Sequence, residues 1–240
     1  MFDLVLPLAT RNDCGMSRWE VRVAIGLFWV FLASGMSVPA QARTFDSASE
    51  ITAVSALSTL PVKGRAAKTG YSREQFGQTW ADVDRNGCDT RNDMLKRDLT
   101  NIAFKAKTRD CVVLSGILVD RYSGETINFV RGAVSSMEVQ IDHVVALSNA
   151  WQTGAFKLSV VQRTAFANDP MNLFAVKGRL NSQKGDGDAA TWLPPLKSFR
   201  CAYVAQQIAV KAKYSLWVTA PEKEAMVRIL SACPKQKLPS

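Results

Sequence analysis

Apolar and polar positions are most informative in the middle of the chain. The run Cys111-Val112-Val113-Leu114-Ser115-Gly116-Ile117-Leu118-Val119-Asp120 breaks at Tyr122-Ser123-Gly124 and resumes in Thr126-Ile127-Asn128-Phe129-Val130-Arg131. The β-branched and aromatic residues on either side of that turn predict a β-hairpin. Glu138-Val139-Gln140-Ile141 alternates polar and apolar residues and predicts a third strand that delivers its end to Asp142-His143. Short helices are expected over 144–151 and 160–167, the second stopped at Asn168-Asp169-Pro170, because a residue before proline is pushed out of the helical region. An extended piece over 172–175, a helix over 180–184 and a turn at Gly185-Asp186-Gly187-Asp188 follow. Two amphipathic helices close the chain. Tyr203, Val204, Gln207, Ile208, Lys211 and Tyr214 lie at helical spacing, as do Ala225, Met226, Ile229, Leu230 and Cys233. Upstream, Ile51, Val54, Leu57 and Leu60 are weakly helical, and the basic stretch Lys63 to Gly70 reads as a loop or flexible arm. Strands and helices in this mixture predict an α+β fold, with Trp151, Trp192 and Trp217 filling its core.

The first 42 residues differ from the rest. Arg18 and Arg22 precede an almost unbroken apolar run, Val23 to Met36, followed by Pro39-Ala40-Gln41-Ala42, a small-x-small site of the type signal peptidase cuts. The run is shorter than the roughly 20 residues that a membrane-spanning helix needs. Residues 1–42 are therefore expected to be a secretory signal peptide. Met16 as initiator would leave residues 1–15 as a gene-start artefact. The expected organisation is a signal peptide over 1–42, a helix and arm over 43–70, and a single domain over 71–240.

Composition narrows the chemistry. The chain has 240 residues, 30 Lys and Arg against 21 Asp and Glu, and one histidine. The lone histidine excludes sites that need two imidazoles, among them HExxH metalloproteases and Cys2His2 zinc fingers. The formal net charge of +9 favours a polyanionic partner, nucleic acid or an acidic surface. Past the leader stand Cys88, Cys111, Cys201 and Cys233, with no CxxC spacing. An even count in an exported chain reads as two disulfides. Of the three pairings, Cys88 with Cys111 and Cys201 with Cys233 are favoured, since each closes a local loop.

The sole histidine sits in Gln140-Ile141-Asp142-His143-Val144-Val145-Ala146-Leu147. At a strand end, adjacent side chains point to opposite sides, so Asp142 and His143 can serve different partners: carboxylate to a hard cation, imidazole to a water. Asn172 and then Asn181-Ser182-Gln183-Lys184-Gly185-Asp186 follow downstream. Asp89-Thr90-Arg91-Asn92 reads equally as a helix N-cap with its first turn and as a place for Arg91 to clamp phosphate. The Gly185–Asp188 run lacks the spacing and terminal Glu of an EF-hand loop and reads as a turn.

An Asp-His at a strand end, an Asn-Leu downstream and, nine residues after that Asn, another Asn followed by x-x-Lys-x-Asp resembles the ββα-metal, or His-Me finger, core of HNH endonucleases. Over roughly residues 70–233, with Asn86-Gly87-Cys88-Asp89-Thr90-Arg91-Asn92, Arg131-Gly132 and Ala167-Asn168-Asp169-Pro170, the chain resembles exported bacterial HNH endonuclease-like proteins. These are relatives of the C-terminal nuclease domain of GmrSD-type restriction enzymes. The resemblance implies a secreted, metal-dependent endonuclease acting on DNA, and on RNA as a second substrate, with little sequence specificity. His143 would be the general base and Asn172 would orient its ring. Asp142 and Asn181 would hold one divalent cation, Mg2+ first and Mn2+ second. Lys184 would contact phosphate or developing charge. Asn181 stands where many members carry a last histidine, so the cation's ligands would all be oxygen. The competing reading is a catalytically inactive, basic, secreted module that binds nucleic acid or a cell surface.

Overall fold

The computed structural model describes residues 51–239; the expected signal peptide over 1–42 lies outside them. The hairpin forms where the alternation places it. Strands β2 (Val113–Val119) and β3 (Thr126–Val130) pair antiparallel, with Ser115 opposite Val130 and Val119 opposite Thr126. Asp120 closes the turn by accepting from the Ser123 amide and hydroxyl. A strand that the sequence reading did not find, β1 (Leu99–Phe104), pairs antiparallel with β2 to give a three-stranded sheet in the order β1-β2-β3.

The strand leading to His143 does not join that sheet. β4 (Val139–His143) pairs antiparallel with β5 (Leu173–Lys177), so that His143 lies opposite Leu173 and Asp142 opposite Phe174. Between them run α3 (Leu147–Gln152) and α4 (Val160–Ala167). Helix α4 starts in a capping box, Ser159 accepting from the Gln162 amide and the Gln162 side chain accepting in return. Directly after β5 comes α5 (Gly178–Lys184), packed against both strands. The Gly178 amide donates to the Glu138 carbonyl at 2.9 Å, and a Cβ at this position would run into the Met137 carbonyl oxygen. Only glycine lets α5 begin this close to β4.

Alternation sorts the side chains of β4. Val139 and Ile141 join Met94, Leu95, Leu118, Phe129, Leu173 and Ala175 in one core that fastens the two sheets together through α2 (Thr90–Asp98). Asp89 caps α2 by accepting from the Asn92 amide at 2.8 Å, which settles Asp-Thr-Arg-Asn as a helix start. The opposite face of β4 looks toward α5 and a core of Tyr122, Val144, Phe174, Val176, Leu180 and Tyr203.

The two C-terminal helices are α6 (Arg200–Lys213) and α7 (Ala220–Leu230). They pack with α1 (Ala53–Thr59) around Leu57, Val204, Ile208 and Met226. The basic stretch after α1 is not a free arm. Arg65 pairs with Asp188 and Lys68 with Asp186, each at 2.7 Å, which pins it to the Gly-Asp-Gly-Asp turn. Trp151 and Trp217 are buried, as expected of core residues, and Trp192 packs partly buried against Tyr122 and Tyr203.

Both favoured disulfides are present, Cys88–Cys111 and Cys201–Cys233. The second joins the first turn of α6 to the residues just after α7, 32 positions apart. By loop-closure entropy it contributes about 4 kcal/mol. The Cys201→Ala/Cys233→Ala variant is expected to lose that much in urea unfolding at pH 7, and an unchanged midpoint would show that the helix packing suffices alone.

Candidate functional site

His143 ends β4, and its ring turns away from α5 toward the end of α4. Nε2 lies 2.8 Å from the Ala167 carbonyl oxygen. A carbonyl only accepts, so Nε2 carries the proton and Nδ1 is the acceptor. The ring stacks on Trp80, with planes 13° apart and centroids at 6.0 Å. With Arg73, Gly77, Leu147 and Asn168 these two rings line a small cleft with about 20 Å³ of free space. That is room for about one water molecule.

Burial pushes His143 down from its ordinary value to about 4, against the opposing pull of the Ala167 carbonyl, and the charges of Arg73 and Lys184 add to the fall. The imidazole is neutral at pH 7 and free to take a proton at Nδ1. In the unfolded chain His143 titrates near 6.5, so between that value and about 4 the unfolded state binds more protons. Stability therefore rises with pH across this window. It is complete above 6.5, and about 3 kcal/mol of it is lost as the pH falls toward 4. Urea unfolding of wild type and His143→Gln at pH 7 and pH 4.5 checks this: the variant is expected to lose markedly less stability on acidification, and parallel losses would contradict it.

Asp142 points the other way. Its carboxylate accepts from the Tyr122 hydroxyl at 2.6 Å and from the Lys184 ammonium at 2.9 Å. Lys184, whose side chain is fully buried, also donates to the His143 carbonyl at 2.8 Å. Burial raises the Asp142 pKa, and the Lys184 charge and Tyr122 hydroxyl pull it back. Asn181 donates through its amide to Gln140 at 2.9 Å, one strand position-pair before Asp142 on the same face.

This arrangement tests the expected cation site. Helix α5 does bring Asn181 and Lys184 to the face of β4 that carries Asp142. Both Asp142 oxygens are nevertheless engaged, and an ammonium already supplies the positive charge beside them. Among the described residues no three His, Cys, Asp or Glu side chains are grouped to hold a metal ion. As placed, Asp142 forms a buried ion pair with Lys184 and Asn181 an amide pair with Gln140, and the Asp142 carboxylate has no oxygen left free for a divalent cation. The Lys184 ammonium is enclosed by these same contacts.

Asn172 lies in the turn before β5. Its side-chain oxygen accepts from the Val145 amide at 2.8 Å, its Nδ2 donates to the Val145 carbonyl at 3.3 Å, and its own carbonyl accepts from the Val144 amide at 2.8 Å. It touches the backbone that leaves His143 and not the ring itself. Arg91 is half-buried on α2 and donates to the Val139 carbonyl at 3.4 Å. That is the far end of β4, about 13 Å along the strand from His143. Arg91 does not join the cleft.

The family model for GmrSD restriction endonucleases, C-terminal domain, matches residues 89–229, more than half of the chain. The chain belongs to this family. A relative from the fungus Arthroderma benhamiae (strain ATCC MYA-4681 / CBS 112371), named only as an uncharacterized secreted protein, is 40% identical over 184 residues, covering 76% of this chain and 85% of its own length. No solved structure matches. Together with the two disulfides, that relative identifies the chain as a secreted protein, and no helix among the described residues is long and apolar enough to cross a membrane.

The GmrSD match contains Asp142, His143, Asn172, Asn181 and Lys184. Arg73 and Trp80 precede it, and sequence reading missed both. Asn168 lies inside the match and was read as a helix stop and as part of the family motif, without a role in the site. The available signal was local: three aromatic residues, Tyr71, Phe76 and Trp80, stand within ten positions beside the single basic residue Arg73.

Proposed function

We propose that this member of the GmrSD C-terminal family is a secreted endonuclease of the HNH type, hydrolysing phosphodiester bonds of DNA, and of RNA as a second substrate, with little sequence specificity. The observation that carries the reading is His143: a neutral imidazole at a strand end, its tautomer fixed by the Ala167 carbonyl, its ring lining a cleft with room for one water. A neutral imidazole at this place accepts a proton from an attacking water, and the burial that keeps it neutral also makes it a weaker base than a free imidazole. The succession of β4, β5 and α5, with His143 ending the first strand and Asn172 just before the second, supports a ββα core of the His-Me finger kind.

Membership makes a divalent cation, Mg2+ or Mn2+, the expected cofactor. On this reading Asp142 does not hold it, being committed to Lys184 and Tyr122. Asp142 and Lys184 instead hold β4 against α5, and with Asn172 on the backbone of Val144 and Val145 they fix where His143 stands. The net charge of +9 supplies attraction to the phosphate backbone without base readout, in keeping with low specificity.

The test is incubation of the exported, oxidised protein with supercoiled plasmid and with a single-stranded RNA, in Mg2+, in Mn2+ and in EDTA. Nicked and then linear plasmid with added metal, and none in EDTA, is the expected result. Retardation of uncleaved plasmid under every condition would replace this reading with that of a binding module, whose affinity falls with salt and needs no metal.

A further inference from the structure

Among the described residues Arg73 is the one arginine that lines the His143 cleft. It lies on the short turn Arg73–Phe76, exposed, and makes no ion pair or hydrogen bond among the described residues. Its charge nonetheless reaches His143, whose pKa it helps to lower. Three other arginines close to β4 and β5 are occupied: Arg91 on the Val139 carbonyl, Arg97 on Asp98 and the Leu173 carbonyl, Arg131 on Asn92 and the Val113 carbonyl.

A second residue lining the cleft also has an atom without a partner. Asn168 is only 1% exposed and donates through Nδ2 to the Thr164 carbonyl at 2.9 Å, while its Oδ1 is buried with nothing bonded to it. A buried amide oxygen without a partner costs free energy unless a water or a substrate group meets it. The cleft has room for about one water.

We propose that Arg73 is the phosphate-binding residue of this cleft, holding a nucleic-acid phosphate over a water seated between Asn168 Oδ1 and His143 Nδ1. The inference rests on the nuclease reading and adds its substrate contact. In the step it serves, the water oxygen bonds to phosphorus as its proton passes to His143 Nδ1. The bond from phosphorus to the leaving oxygen breaks, the electron pair departs with that oxygen, and the oxygen takes a proton from solvent. Arg73 offers two parallel N–H donors to the non-bridging oxygens, where negative charge grows in the transition state. A lysine at the same place would supply charge without the fork.

The test uses the exported, oxidised full chain as wild type, Arg73→Ala and Arg73→Lys. It follows cleavage of a duplex oligonucleotide, and it measures binding of the same duplex by fluorescence anisotropy in the His143→Ala background from 50 to 200 mM salt. Arg73 is exposed, so both variants are expected to melt as wild type does. Arg73→Ala should lower kcat/KM by about 100-fold, with partial recovery in Arg73→Lys. In the binding arm it should weaken affinity and reduce the slope of log K against log salt by about 1. Asn168→Ala should lower kcat with little change in KM, and Asn168→Ser, which keeps an acceptor oxygen, should lose less and serves if the alanine variant does not fold. Arg73→Ala cleaving within twofold of wild type with an unchanged salt slope would overturn the proposal while leaving the nuclease reading intact. A wild type that never cleaves would overturn the nuclease reading, and the salt slope would still decide whether Arg73 binds phosphate.

Discussion

Asp142→Ala is expected to destabilise the protein by about 3–5 kcal/mol, the largest effect of any single change at the site. The Lys184 ammonium is fully enclosed and its ionic partner is this carboxylate. Removing it leaves a buried charge with one carbonyl for company, and leaves the Tyr122 hydroxyl without its acceptor. Replacing both charges together, as Asp142→Leu/Lys184→Met, should cost far less, because the desolvation of two ions is relieved along with their attraction. Urea unfolding at pH 7 reads both variants. The comparison also separates an ion pair from a cation site. If Mg2+ raises the melting temperature of the wild type and Asp142→Asn abolishes that rise, then Asp142 binds metal and the assignment given above fails.

His143→Ala is expected to keep the fold and lose the chemistry. The ring makes one hydrogen bond and one stacking contact, so its removal opens a small space beside Trp80 without stranding a charge. Removing a positioned general base lowers rate by roughly 10²–10⁴-fold. DNA affinity should change little, because the attraction comes from the net charge of the whole chain and a neutral imidazole adds none of it. A lower rate accompanied by an equal loss of binding would mean that His143 holds substrate and does not act on the water.

Much of this arrangement can be read in the sequence because local patterns suffice for it. The alternation through Gln140-Ile141-Asp142-His143 puts carboxylate and imidazole on opposite sides of β4, and the structure sends one to α5 and the other to the Ala167 carbonyl. The hairpin, α4 and the two C-terminal helices follow from equally local signals, and loop closure was enough to choose the disulfides. Strand β1 escapes such a reading. It is irregular between Thr100 and Ala103, and Asn101 there has φ of 51°, so the two-residue period is interrupted.

Partners far apart in the chain are the harder part. β4 pairs with β5 across two intervening helices, and nothing in Glu138 to Ile141 says that it will leave the adjacent hairpin. The role of Lys184 depends on the rotation of a seven-residue helix. At the sequence level a buried ammonium on Asp142 and a solvated one on phosphate look alike. Arg73 and Trp80 reach His143 from more than sixty positions upstream, outside the stretch that carries the family motif. The basic stretch from Lys63 to Gly70 looked free because Asp186 and Asp188, which hold it, are more than a hundred residues away.

The central claim is that a neutral His143 removes the proton from the attacking water. Its most direct test is single-turnover cleavage of a duplex oligonucleotide by His143→Ala with and without added imidazole, beside the wild type, once both proteins have been shown to melt cooperatively. The account predicts that the variant is slower by roughly 10²–10⁴-fold and regains rate as imidazole is raised, in proportion to its unprotonated fraction. A folded His143→Ala that cleaves at the wild-type rate without imidazole would contradict it.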